Sequence, residues 1–263
     1  MRVVVRGGGD IATGVIHKLY QCGFEVIILE CAQPTAIRRY VSFSDAVYHK
    51  QCTVEEITCE YVSCIEDVPH VLEKHHIPLL VDALGNSIKQ LQPDVVVDAI
   101  IAKKNVGTNK DMANIVIALG PGFEAGKDVH AVIETKRGHR LGRIYYKGCA
   151  AENTGIPGKI NGYGKERVIH APADGMMKAC ASIGDVVQQG QCIAKLDHVE
   201  VYATITGVLR GILPDGFQVW KGLKMADIDP REDQVDNCTT ISDKARCIAG
   251  GVLEAILHLQ HKQ

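Results

Sequence analysis

A glycine-rich segment near the start of the chain carries the clearest chemical signal. Gly7, Gly9 and Ala12 fit the pattern G-x-G-x-x-A, in which the glycines allow a tight turn and the close approach of a phosphate, and the alanine keeps helix and strand close. The unpaired amides that open a helix attract anions, but Asp10 at this point opposes a second negative charge. The pattern predicts a phosphate-binding turn.

Glu30 lies 21 residues after Gly9, at the end of a second apolar run. A carboxylate in that position of a dinucleotide-binding unit accepts hydrogen bonds from a ribose. The residues predicted here to bind a cofactor are therefore Gly7, Gly8, Gly9, Asp10, Ala12 and Glu30. The alternative is that the glycines only form a tight turn between a strand and a helix, with no ligand.

A second glycine loop covers residues 120–128. It is not a P-loop, since that motif needs glycine and a hydroxyl where this chain has Pro121 and Asp128. The loop follows an apolar run, and ligands of open α/β sheets gather at the carboxyl ends of the strands. We therefore expect Gly120 and Gly122 to line a ligand site, with Lys103 at the same edge if residues 95–100 form a parallel strand.

Four polar residues lie within ten positions further on: Glu134, Arg137, His139 and Arg143. Guanidinium groups bind phosphate or carboxylate through two oxygens at once, and a histidine among them can transfer a proton near neutral pH. The candidate catalytic residues are Glu134, Arg137, His139 and Lys103, and Arg143 is predicted to bind the anion. The alternative is a hairpin whose charges are simply solvated.

The segments that must position these residues have the apolar pattern of strands in a parallel sheet. Continuous apolar runs occur at residues 3–5, 26–29, 79–81, 95–97 and 116–119. Strands buried on both faces have this pattern. With a glycine turn and a helical pattern after the first run, they predict a Rossmann-like, doubly wound α/β domain over residues 1–164, ending in a glycine-rich linker.

An ungapped internal repeat relates residues 171–197 to residues 203–229. A unit this short cannot bury its own apolar face, so the two copies must share one core about a pseudo-two-fold axis. The repeated G-x-x-V-x-x-G resembles the biotinyl and lipoyl carrier domains, which implies a barrel-sandwich hybrid over residues 165–231. The junction at residues 196–200 has no lysine at its tip, and Lys195 lacks flanking methionines, so a carrier role is not indicated.

The last segment, residues 232–263, predicts one helix opened by Ser242 and Asp243. Its apolar residues form a continuous face, so it should dock on the first domain. Gly250 and Gly251 would weaken an isolated helix but permit close packing.

Composition excludes several classes of protein. The 263 residues carry 29 basic and 31 acidic side chains, so general binding to nucleic acid or to a membrane surface is not expected. There is neither a signal-peptide pattern nor a transmembrane run. The 10 cysteines contain no C-x-x-C, which gives no indication of a disulfide framework, an iron–sulfur cluster or a metal site. These features predict a cytoplasmic protein.

A set of motifs distributed along nearly the whole chain resembles the YqeB family. The motifs cover residues 6–14, 37–47, 97–103, 119–123, 132–139, 153–155 and 227–231. The resemblance implies a bacterial accessory protein of the selenium-dependent molybdenum hydroxylase system, a maturation factor for a xanthine-dehydrogenase-like enzyme. Its implied partner is the hydroxylase apoprotein.

Three functional hypotheses follow. The first is binding of a nucleotide or of the molybdenum cofactor, a phosphate-bearing pterin, in the crevice near Gly7, Lys103, Gly120, Arg137 and His139. The second is an NAD(P)-dependent oxidoreductase, for which no hydride-acceptor site is identified. The third is a non-enzymatic scaffold whose repeat module docks the hydroxylase. None of the three involves nucleic acid or a membrane.

Overall fold

A computed structural model describes residues 1–155 and 158–262. Ile156 and Pro157, inside the predicted linker, lie outside the described residues. The chain forms two compact units. Unit 1 comprises Met1–Pro34, Ser42–Asn153 and Ile241–Gln263, and unit 2 comprises Thr35–Val41 and Thr154–Thr240. Both units therefore differ from the predicted domains of residues 1–164 and 165–231, because a short segment from the first part of the chain and residues 154–164 and 232–240 belong to unit 2.

Unit 1 is built around a nine-stranded, mostly parallel sheet. Its strands are β1 (Arg2–Arg6), β2 (Glu25–Glu30), β3 (Gln51–Val54), β4 (Ile57–Val62), β5 (Ile77–Val81), β6 (Val95–Asp98), β7 (Ile115–Leu119), β9 (Ala131–Ile133) and β10 (Ile144–Tyr145). The order is β10-β9-β7-β6-β1-β2-β5-β4-β3, with only β3 and β10 antiparallel to their neighbours. A separate pair consists of β8 (Glu124–Ala125) and β11 (Gly148–Cys149).

The helices of unit 1 are α1 (Asp10–Gln21), α2 (Ala46–His49), α3 (Val68–Glu73), α4 (Ile88–Leu91) and α5 (Asp243–Gln260). The prediction of a parallel sheet of buried apolar strands is confirmed, since Val3, Val4 and Val5 in the central strand are fully buried. Their alternate side chains point to opposite faces, so both faces of the sheet are covered.

Helix α5 packs against α1 through small residues. A Cβ atom at Gly14 of α1 would lie 2.7 Å from the Cβ of Ala245 in α5, so the helices approach more closely there than two side chains would allow. Ser242 caps α5, its Oγ accepting a hydrogen bond from the Ala245 amide at 3.2 Å. Gly9 occupies the capping position at the start of helix α1.

Unit 2 holds two four-stranded antiparallel sheets, β12-β19-β17-β14 and β16-β15-β13-β18. Their strands are β12 (Val168–His170), β13 (Gly175–Ala179), β14 (Val186–Val187), β15 (Cys192–Leu196), β16 (Val199–Tyr202), β17 (Gly207–Ile212), β18 (Gln218–Val219) and β19 (Lys224–Asp229). Strands β13, β14 and β15 begin 32 residues before β17, β18 and β19, so exchanging the halves of the repeat turns one sheet order into the other.

The hydrogen bonds of unit 2 follow the same exchange. The Gly184 amide donates to the Leu209 carbonyl at 2.9 Å, and the equivalent Gly216 amide donates to the Met177 carbonyl at 2.9 Å. All four residues are related by the offset of the repeat. Each half therefore completes the other, as expected for a repeat unit too short to bury its own apolar face.

One carboxylate on β4 gives unit 1 a predicted dependence on pH. Glu60 accepts hydrogen bonds from His76 Nδ1 and from Lys74 Nζ, the latter at 3.1 Å. The hydrogen bond from His76 lowers the pKa of Glu60 more than any other contact does, burial opposes it, and Lys74 adds to the lowering. A lowered carboxyl pKa contributes stability above the pKa of the unfolded chain, and that contribution is lost as the pH falls through the folded value.

We therefore expect Glu60→Gln to lower the free energy of unfolding by about 0.5–1 kcal/mol at pH 7 and by less at pH 3. Urea unfolding followed at both pH values measures the difference. Glu73→Gln on α3, an exposed position, is the matched control and should leave both values unchanged. An equal loss at pH 7 and pH 3 would contradict an ionic contribution from Glu60.

Candidate functional site

The loops that follow β1, β6, β7 and β9 meet at the carboxyl ends of these strands. We call residues 7–10, 99–105, 120–122 and 134–139 the strand-end rim. A Cβ atom at Gly7 would lie 3.0 Å from the Ala99 carbonyl oxygen, and one at Gly122 would lie 2.6 Å from the Lys104 Cα. Loops predicted to share one edge of the sheet are thus in backbone contact.

The glycine turn after β1 is shaped by close contacts within the protein. Gly7 has a φ of +97°, which favours glycine. A Cβ atom at Gly8 would lie 2.9 Å from the Ser44 amide nitrogen, and that amide donates to the Gly8 carbonyl at 2.9 Å. Gly8 therefore admits the segment that contains Ser44, whereas a Cβ atom at Gly9 would meet nothing within 4 Å.

Two amides predicted to face an anion are satisfied inside the protein. The Gly8 amide donates to Glu30 Oε2 at 2.7 Å, and the other oxygen of Glu30 accepts from the Cys31 amide at 2.7 Å. The Ile11 amide donates to Asp10 Oδ1 at 2.9 Å. This corrects the prediction for Gly8 and Asp10, because a carboxylate already takes the place expected for a phosphate. The Cys31 thiol also hydrogen-bonds to Glu30, which leaves one of the four acceptor positions of the carboxylate.

Glu134 has a different role from the one predicted. It is 1% exposed, its Oε1 accepts a hydrogen bond from the Lys136 amide at 2.8 Å, and its Oε2 accepts one from the Ala151 amide at 2.8 Å. A buried carboxylate with both oxygens bound to backbone amides holds the loops together. This corrects its assignment as a catalytic candidate.

The other polar residues of this segment are not gathered into one arrangement. Arg137 forms a two-pronged ion pair with Asp243, with distances of 2.8 and 3.2 Å, and this contact raises its pKa. His139 and Arg143 are exposed, and their side chains make no hydrogen bond within residues 1–155 and 158–262. Arg137 is thus tied to the first turn of α5, and the solvated-hairpin interpretation fits His139 and Arg143.

The loop after β6 carries lysines on a strained backbone. Ile101 and Lys103 have φ values of 58° and 62°, a region that residues other than glycine rarely adopt. Such conformations cost about 1–3 kcal/mol each and occur where surrounding structure enforces them, often at functional sites. Lys103 and Lys104 are exposed and form no ion pair among the described residues.

Lys244, in the first turn of α5, also belongs to this region and is missed by sequence reasoning. Burial lowers its pKa, and the charge of Asp10 opposes this lowering. Arg137 lowers the pKa further, whereas Asp243 and Glu134 raise it. The lysine therefore lies within electrostatic range of both the glycine turn and the loop after β9. Nothing in the sequence signals this, because only the docking of α5 on α1 brings the position near the turn.

A buried network beneath the rim is likewise missed. Arg6 ends β1 and Asp98 ends β6, and the two are register partners, each 1% exposed. Thr108 connects them, accepting from Arg6 Nη1 and donating to Asp98 Oδ2 at 2.5 Å. Arg6 Nη2 donates to the Ala83 carbonyl at 2.9 Å, while its Nε has no partner. The network fixes the strand ends that carry the rim.

Within residues 1–155 and 158–262, no helix combines the length and apolar character needed to span a bilayer. The same residues contain no cluster of three or more histidine, cysteine, aspartate or glutamate side chains arranged to hold a metal ion.

No family model matches the chain. A succinylglutamate desuccinylase from Silicibacter sp. TM1040 aligns over 86% of this chain and 84% of its own, with 12% identity and a TM-score of 0.25, a likeness too weak to carry an argument. The chain is 50% identical over 260 residues to "Uncharacterized protein YqeB" of Escherichia coli K12. The alignment covers 99% of this chain and 48% of that protein, so the chain spans about half the length of this relative. The similarity to that protein extends over nearly the whole of this chain.

Proposed function

We propose that the chain is an accessory protein for maturation of a molybdenum hydroxylase, and that unit 1 binds an anionic nucleotide or the phosphate-bearing molybdenum cofactor at the strand-end rim. The pathway comes from the family resemblance. The ligand class comes from the chemistry of the rim, which combines glycine turns with lysines from two separate parts of the chain. Unit 2 is proposed as the barrel-sandwich hybrid that docks the hydroxylase apoprotein.

The order of the parallel strands carries this proposal. Counting only the six strands β1, β2, β5, β6, β7 and β9 in chain order, the sheet has the order 3-2-1-4-5-6. This is the order of dinucleotide-binding sheets, and their ligands lie where the order reverses, outside the carboxyl ends of the strands. In this chain that point lies between β1 and β6, where the glycine turn meets Ala99.

The hydrogen bonds of the turn restrict where an anion can lie. Glu30 occupies the Gly8 amide, so a phosphate there would meet a carboxylate. Gly9 is different, because no atom lies within 4 Å of its Cβ position. Lys244, which lies within electrostatic range of Asp10, and Lys103 at the same edge would supply positive charge to a phosphate over Gly9. The residues present therefore fit an anionic group on the β6 side of the turn.

A second candidate is an NAD(P)-dependent oxidoreductase. The strand order and the position of Glu30 at the end of β2 favour it, since this carboxylate can bind a ribose hydroxyl through its remaining acceptor position. The Gly8 amide is already bound to Glu30, which counts against the usual placement of a pyrophosphate at this turn. Binding of NAD with turnover would favour this candidate over the first.

Titration of the purified chain with molybdopterin, molybdopterin dinucleotide and NAD, followed by thermal unfolding, tests both candidates. A ligand at about 100 times its Kd stabilises by about 2.7 kcal/mol, or about 5–10 °C in Tm for a chain of this size. Gly9→Leu should abolish the shift without unfolding the chain, because Gly9 has a φ of −67° and open space around it.

Two lysine substitutions and one control locate the anion. Lys103→Met and Lys244→Met should each reduce the thermal shift, while Lys18→Met, in the last turn of α1, should leave it unchanged. No shift with any of the three compounds, or equal shifts in the wild type and in Gly9→Leu, would rule out binding at the rim.

A further inference from the structure

Two cysteines lie side by side on one face of the β16-β15-β13-β18 sheet. Strands β13 and β15 pair with Lys178 opposite Lys195 and Ala179 opposite Ala194. The next pair would place Cys180 opposite Ile193, and the Cys180 amide does donate to the Ile193 carbonyl at 2.8 Å. Side chains alternate along a strand, so Cys180 shares the outward face with Lys178 and Lys195.

A β-bulge brings the second cysteine to the same face. The register of β15 with β16 shifts between Cys192 and Ala194. Ile193 and Ala194 are both fully buried, which leaves Cys192 on the outward face beside Cys180. The Cys192 thiol donates a hydrogen bond to the Ala194 carbonyl at 3.4 Å, next to the bulge, and the Cys180 thiol lies within electrostatic range of Cys192.

The two cysteines are more exposed than free cysteines usually are, and more exposed than one of the residues at the equivalent positions of the repeat. Free cysteine is among the most buried residue types, yet Cys180 is exposed and Cys192 is partly exposed. The repeat places Ile212 and Lys224 at the equivalent positions, and Ile212 is 1% exposed, with its amide bound to the Ile37 carbonyl at 2.9 Å. The thiol pair therefore lies on an open sheet face, whereas the counterpart of Cys180 is covered.

The surrounding charge is positive. Lys178 and Lys195 lie on the same outward face as Cys180, and Lys195 is paired with Glu200 at 3.0 Å. Two thiolates that share one monovalent cation carry a net charge of −1, which Lys178 on the same face can offset.

We propose that Cys180 and Cys192 form a two-coordinate site for a soft, monovalent d¹⁰ cation such as Cu(I). Thiolate ligands select soft cations over harder ones, and a pair of sulfur atoms is sufficient for linear coordination of such an ion. On binding, both S–H bonds break, the two protons pass to buffer, and two S–Cu bonds form. The copper remains Cu(I), so no oxidant or reductant is consumed.

The chain contains a second cysteine pair that serves as a control. Cys52 and Cys59 are register partners on β3 and β4, but Cys59 is fully buried. The net −1 charge of a copper bis-thiolate there would be buried next to Glu60, which is costly. We therefore expect this pair not to retain Cu(I), although it has the same ligand types.

Cu(I) competition under anaerobic conditions tests the site. The reduced full chain is loaded with Cu(I) in ascorbate and is then mixed with excess bathocuproine disulfonate, which competes for copper. The copper that stays bound to the protein is measured per chain. The wild type should retain about one equivalent more than Cys180→Ser or Cys192→Ser, and Cys52→Ser should match the wild type. Lys178→Met should weaken retention by about tenfold, as loss of an outer-sphere partner does.

Circular dichroism of each variant confirms that the fold is intact before copper is counted. Equal retention by the wild type and Cys180→Ser would overturn the proposal. So would an equal loss in Cys52→Ser and Cys180→Ser, since copper would then bind thiols without regard to their exposure.

Discussion

Gly251→Ala is expected to lower the free energy of unfolding by about 1–3 kcal/mol, whereas Gly250→Ala is expected to raise it by about 0.5–1 kcal/mol. The two glycines are neighbours in α5 and differ only in what surrounds them. A Cβ atom at Gly251 would lie 2.4 Å from the Gly142 carbonyl oxygen and 3.2 Å from Ile133 Cγ2. A Cβ atom at Gly250 would meet nothing within 4 Å.

The opposite signs follow from the balance of two effects. Alanine improves the helix at both positions because it restricts the unfolded chain. At Gly251 this gain is outweighed, since the new methyl group meets backbone that cannot move without shifting the loop between β9 and β10. Urea unfolding of both variants measures the difference. A shift of both in the same direction would mean that α5 does not pack on this loop as described.

Asp98→Ala should have a still larger effect and lower the free energy of unfolding by about 3–5 kcal/mol, because it leaves the buried charge of Arg6 without its partner carboxylate. Arg6 Nη1 lies 4.0 Å from Asp98 Oδ2, and both side chains are almost fully buried. Removing Asp98 also leaves the Thr108 hydroxyl and the Ile100 amide without an acceptor. The loss is measured by urea or thermal unfolding, and a loss below about 1 kcal/mol would show that the network is not needed.

Asp98→Asn separates charge from hydrogen bonding, because the amide oxygen can still accept from Thr108. Burial raises the pKa of Asp98, against the lowering effects of the Thr108 and Ile100 hydrogen bonds and the Arg6 charge. A raised carboxyl pKa contributes stability that is complete below the unfolded value, near 3.9, and is lost as the pH rises through the folded value. The cost of Asp98→Asn should therefore grow as the pH is lowered from 7 towards 4, and a cost that shrinks would contradict this assignment.

Much of the sheet of unit 1 is predictable from local pattern. Continuous apolar runs such as Val95–Val97 and Val116–Leu119 can only be satisfied by burial on both faces, and the structure places both in the parallel sheet. The hairpin of β3 and β4 was not predicted, since its strands mix exposed and buried residues with charged ones. The order of the strands is also beyond local pattern, because it depends on which apolar faces meet.

The candidate site shows a similar division. The glycine turn and the neighbouring loops are predictable, because a strand followed by glycine and a helical pattern fixes a turn at the strand end. The partners of these residues are not. Glu30 was expected to face a ligand and instead binds the Gly8 amide. Lys244 reaches this region only through helix packing, which leaves no trace in sequence spacing.

The polypeptide passes between the two compact units after Pro34, Val41, Asn153 and Thr240. Neither unit therefore corresponds to one uninterrupted stretch of its coding sequence. Expression of residues 154–240 alone would omit Thr35–Val41, whose Ile37 carbonyl satisfies the Ile212 amide and whose backbone abuts Gly211. Dissecting this protein into separately folding pieces consequently calls for circular permutation or for co-expression of complementary fragments, and simple truncation will yield incomplete cores.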